Sequence, residues 1–69
     1  MTIDGFEGMD MDGKVKYLRK NAVLIHSLIR GNMVISLFWT KDLIFEVFKT
    51  KNNGKIYDIK SYNRFEYAA

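Results

Sequence analysis

The sequence predicts an α+β fold: one N-terminal amphipathic helix packed on a four-stranded antiparallel β-meander. Three observations carry this expectation. From Met33 to Tyr62 apolar and polar residues alternate, the two-residue period of strands with unlike faces. The alternation breaks at Lys41-Asp42 and at Asn52-Asn53-Gly54, where hairpin turns fit. Ahead of it, Met11, Val15 and Leu18 recur at i, i+4 and i+7, a helical stripe with Tyr17 at its edge.

Residues 1–9 contain two of the five glycines and only scattered apolar side chains, so they are expected to form a flexible acidic arm ahead of a single domain over 10–69. The helix follows. Asp10 or Asp12 can accept hydrogen bonds from the free amides of its first turn, and Lys14, Lys16, Arg19 and Lys20 lie toward the end where the helix dipole favours cations. Asn21 suits a left-handed terminating position. The stretch 22–30 satisfies two patterns, because Val15, Leu18, Ala22, Ile25 and Ile29 also keep helical spacing. A strand is favoured there: Val23, Ile25, Ser27 and Ile29 alternate with Leu24, His26, Leu28 and Arg30, and Arg30-Gly31-Asn32 is a tight-turn sequence. The remaining strands are expected over 33–40, 43–50 and 55–62, with no proline to interrupt them.

Register decides which side chains share a face. With three-residue hairpin loops and Gly54 in a left-handed position, Val47 should oppose Ile59, Glu46 should neighbour Lys60, and Trp39 should oppose Leu43. The helix would then cover Val23, Ile25, Ile29, Ile35, Leu37, Trp39, Leu43, Phe45, Val47, Tyr57 and Ile59. The far face would carry an apolar patch of Leu24, Leu28, Val34, Phe38, Ile44 and Phe48, larger than a soluble monomer usually leaves open. A second copy of the chain, or another protein, is the expected cover.

Composition bounds the function. A chain of 69 residues allows one domain with a small core, and the absence of cysteine removes disulfides and thiolate metal sites as supports. Hydrophobic residues at 48% place the chain well outside the disordered class. No apolar run approaches the roughly 20 residues of a membrane span, and the acidic start is unlike a secretory signal, so the default expectation is a cytoplasmic protein without membrane contact. Charge is unevenly distributed: Asp4, Glu7, Asp10 and Asp12 precede Gly13, whereas from Gly13 onward eleven Lys/Arg face four acids, a net +7. No block of five like charges occurs, and spread over all elements these charges describe a solvated surface onto which the acidic head can fold.

No catalytic or cofactor-binding constellation is present. His26 is the sole histidine, the acids are scattered singly, and Ser27, Ser36 and Ser61 lack a neighbouring base or a nucleophile-elbow context. Gly5, Gly8 and Gly13 follow no strand and no Gly-Lys-Ser/Thr sequence, so they make no phosphate cradle. The expected role is therefore non-enzymatic, with no cofactor and no metal: an interaction module that self-associates, as a homodimer, through the open apolar face or through an edge strand. The alternative is nucleic-acid binding, in which Lys41, Lys49, Lys51, Lys55, Lys60 and Arg64 would meet phosphates and Tyr62 or Phe65 would stack on bases.

Overall fold

The computed structural model describes residues 1–67. Two helices, α1 (Ile3–Glu7) and α2 (Met11–Asn21), precede strands β1 (Val23–Arg30), β2 (Met33–Trp39), β3 (Leu43–Thr50) and β4 (Ile56–Asn63), and a short helix α3 (Arg64–Tyr67) follows. The four strands form one antiparallel sheet in sequence order, the meander that the alternation predicts.

The segment expected to be an arm is instead part of the fold. Thr2 caps α1, its hydroxyl accepting from the Gly5 amide at 3.0 Å, and the i, i+3 pair Ile3 and Phe6 turns toward the sheet. Phe6 is 0% exposed and joins Leu18, Leu43, Phe45, Val47 and Ile59 in the core. Its ring lies 4.6 Å from Phe45 and 5.9 Å from Tyr17. Counting apolar residues in 1–9 misses this because one fully buried phenylalanine contributes about as much as several half-buried aliphatics. The acidic head does fold back onto the basic remainder at Glu7, which pairs with Lys14 at 3.5 Å and accepts from Ser61 Oγ at 2.6 Å.

Asp10 caps α2, accepting from the Gly13 amide at 2.8 Å. Leu18 is buried, Val15 and Tyr17 pack against the core, and Met11 stays exposed. Asn21 is not left-handed: it is the last helical residue, its side chain donates to Tyr17 O, and the chain leaves through extended Ala22 (φ −108°, ψ 153°). That extended exit settles residues 23–30 as a strand.

Register matches expectation in one half of the sheet and departs in the other. In β3–β4, Val47 opposes Ile59 and Glu46 opposes Lys60. Gly54 takes φ +67°, but the loop closes one residue earlier than expected, between Thr50 and Lys55. A bulge leaving Tyr57 without a partner restores the pairing, so Tyr57 points away from the core and is exposed. In β2–β3, Trp39 opposes Ile44 rather than Leu43. The turn there has two residues, Lys41 and Asp42, because the Leu43 amide donates to Thr40 Oγ1 at 3.1 Å while Thr40 N donates to Leu43 O at 2.9 Å. The threonine hydroxyl supplies an acceptor that lets the hairpin close with no left-handed residue. That single-residue difference exchanges the faces of β2: Phe38 sits on the helix side opposite Phe45, and Ile35, Leu37 and Trp39 lie on the far side. The β1–β2 turn is also two-residue, with Gly31 at φ +57° and Asn32 outside the positive region, the pattern of a type II′ hairpin. A second bulge, at Ile25, keeps that residue out of the core as well.

Candidate interaction surface

The two edges of the sheet are built differently. β4 carries Asp58, Lys60 and Asn63, is bulged at Tyr57, and touches α1 and α3. These are the devices that protect a strand edge from pairing with another chain. β1 has few of them. Its sequence VLIHSLIR contains no acid, lysine or proline, all eight residues are exposed, and its one irregularity is the bulge at Ile25. Val23 and Ile29 are 63% and 62% exposed, with Leu24, Ile25 and Leu28 also open. The exposure follows from placement: α1 and α2 pack over the core built on β3 and β4, and no element of the described residues lies beyond β1.

The six residues expected to form one apolar patch are divided between the two faces. Pairing places Leu24, Val34 and Phe38 on the helix side, where Phe38 packs against the core. Leu28, Ile44 and Phe48 lie on the other side. Ile44, opposite Tyr62, is buried, and Phe48 has the Lys60 ammonium 5.5 Å from its ring centroid. The β2 face exchange moves Val34 and Phe38, and the bulge at Ile25 moves Leu24, so the expected contiguous patch does not form. Of the six, only Leu24 and Leu28 remain widely exposed, and both belong to β1.

The far face has a polar centre that the sequence pattern alone does not identify. Glu46 Oε1 accepts from Tyr62 Oη at 2.7 Å, and Glu46 Oε2 accepts from Tyr67 Oη at 3.1 Å. The hydrogen bond to Glu46 pushes the Tyr62 phenol up to about 12, with burial and the neighbouring carboxylate adding to it. Tyr67 is raised as well, by burial first and by the same carboxylate second. Beside this group the Arg64 guanidinium lies 4.2 Å from the Trp39 ring centroid and donates to Thr40 O at 3.3 Å, while its backbone amide donates to Asp42 O. Trp39 Nε1 is buried without a hydrogen-bond partner. These contacts strap α3 across β3 and β4.

The cationic residues considered for nucleic acid are dispersed. Lys41 is in the β2–β3 turn, Lys51 and Lys55 are in the β3–β4 turn at the opposite end of the sheet, Lys49 is on the helix face and Lys60 on the other. Arg64 and Tyr62 are engaged internally by Trp39 and Glu46. Phe65 is 86% exposed on α3, at the end of the sheet that carries the Lys41 turn and away from Lys51 and Lys55. His26 is exposed on β1 opposite Leu37. Among the described residues no group of three or more His, Asp or Glu side chains could hold a metal ion, and no helix is long and apolar enough to cross a membrane.

Compared with known protein families, curated proteins and solved structures, the chain gives no significant match. Its function must be argued from its own surfaces.

Proposed function

We propose that this protein is a small non-enzymatic interaction module that self-associates by pairing β1 with β1 of a second copy. The observation that carries the reading is the exposed β1 edge, which presents Leu24 and Ile29 on one face and Val23 and Leu28 on the other and carries neither acid nor lysine. Antiparallel pairing suits this strand: it puts the two Arg30 side chains at opposite ends, whereas parallel pairing in register would set them side by side. The two-fold axis of such a pair stands normal to the sheet, so the product is one eight-stranded sheet with both helical layers on the same side. Its regular part is His26–Arg30, beyond the bulge at Ile25.

A strand-to-strand contact of this kind falls in the small interface class, below about 1,200 Å², so association is sought at about 0.1 mM protein. Sedimentation at several protein and salt concentrations is the test. The expected outcome is a concentration-dependent, salt-resistant dimer that Ile29→Lys and Leu28→Lys each convert to a folded monomer, since both side chains are exposed in the single chain. A wild-type monomer throughout that range, or a dimer indifferent to both substitutions, would refute the proposal.

A further inference from the structure

We propose that the cleft between α2 and the sheet binds a small free carboxylate bearing an apolar tail, a single ring or a chain of about six carbons. The cleft is open to solvent along one side and has a volume of about 160 Å³. Val15 and Leu18 of α2 form one wall and Phe38, Val47 and Ile56 of the sheet the other, so the interior is apolar. Two cations complete the lining, Arg19 from the helix layer and Lys49 from the sheet, and no acid does.

Neither cation is spoken for. In the ion pairs formed by the described residues, Glu7 is taken by Lys14 and Asp12 by Lys16, and no carboxylate reaches Arg19 or Lys49. Two cations from opposing layers beside an apolar recess match a ligand with one anionic head and one greasy end. Volume matches a short ligand: a dry cavity of about 150 Å³ holds one benzene-sized molecule, so a single ring or short chain fills the recess, acetate leaves it empty, and a longer chain would run out into solvent. The cleft lies on the helix side of β2, β3 and β4 and uses no residue of β1, so this inference stands or falls separately from self-association.

The probe is hexanoate, titrated into the full isotope-labelled chain and followed by amide NMR, with 1-hexanol and acetate as comparisons. Saturable shifts centred on α2, Phe38, Val47 and Ile56 are expected, with hexanoate binding about tenfold or more tighter than either comparison. Lys49→Gln and Arg19→Gln should each weaken hexanoate about tenfold while leaving the spectrum dispersed. Val15→Phe should fill the recess and abolish the shifts; should that variant fail to fold, the two glutamine variants still decide. Hexanol binding as tightly as hexanoate, non-saturating shifts, shifts located elsewhere, or glutamine variants that bind as the wild type would each overturn the proposal.

Discussion

Phe6→Ala tests whether the first nine residues are structural. Phe6 is fully buried and packs edge or tilt against Tyr17 and Phe45, with the Lys14 ammonium 5.5 Å from its ring. Truncating a buried phenylalanine costs about 3–5 kcal/mol, part of it lost transfer energy and part the cavity left behind. A 69-residue domain has a total stability on the order of 3.5–10 kcal/mol at the usual 0.05–0.15 kcal/mol per residue. The substitution therefore removes between a third and all of the stability, and lowers Tm by roughly 4–8 °C for each kcal/mol lost. Phe6→Leu separates the terms: it keeps most of the apolar area and loses the ring pairs, for a cost of about 1 kcal/mol. Urea unfolding followed by far-ultraviolet circular dichroism and by Trp39 fluorescence measures both variants. A Phe6→Ala loss below about 1 kcal/mol with an unchanged denaturant slope would refute the argument, because it would mean that α1 does not dock in solution and that residues 1–9 are an arm after all.

Three further outcomes follow from local geometry. Tyr62 should ionise near 12 in a spectrophotometric titration; because its folded value lies above the unfolded 10, its contribution to stability is complete below pH 10 and disappears as pH rises toward 12, and Glu46→Gln should bring the phenol back toward its ordinary value. Ser27 and Ser36 hydroxyls lie 2.9 Å apart with Ser36 buried, so Ser27→Ala should cost about 1 kcal/mol by leaving a buried hydroxyl unpaired, while the double variant Ser27→Ala/Ser36→Ala should cost no more than the single one in denaturant melts. Gly31→Ala, at φ +57° with open space where a Cβ would go, should cost about 1–2 kcal/mol from backbone strain alone, and Gly31→Asn should recover part of that loss.

Strand existence and order were legible because they depend on local signals: a two-residue period, turn residues, and a left-handed glycine at position 54; the central β3–β4 pairing agreed with expectation only because the bulge at Tyr57 offsets a loop one residue longer than expected. The assignment of β2 faces was not legible. Ile35-Ser36-Leu37-Phe38-Trp39 offers apolar residues to either side, so its alternation sets no preference, and the outcome rests on whether the Thr40 hydroxyl closes a two-residue turn. Of the candidate interface, Leu24 and Leu28 kept their exposure because they belong to the edge strand. Val34, Phe38, Ile44 and Phe48 were separated or covered by the β2 exchange and by α3. The basic residues were countable in the sequence, but their dispersal over both faces and both ends of the sheet depended on the folded arrangement.

The sequence by itself determined that this chain makes a helix followed by a four-stranded meander, that its charges divide into an acidic head and a basic body, and that VLIHSLIR carries no acid, lysine or proline and one arginine, at its end. The tertiary structure decided which edge is left bare, that Phe6 completes the core, and that Arg19 and Lys49 converge on one cleft. The physical reason is the range of the interactions. Periodicity and turns act over a few neighbouring residues, whereas burial and the convergence of charges join positions such as 6 with 45 and 19 with 49, whose proximity exists only after the layers have packed.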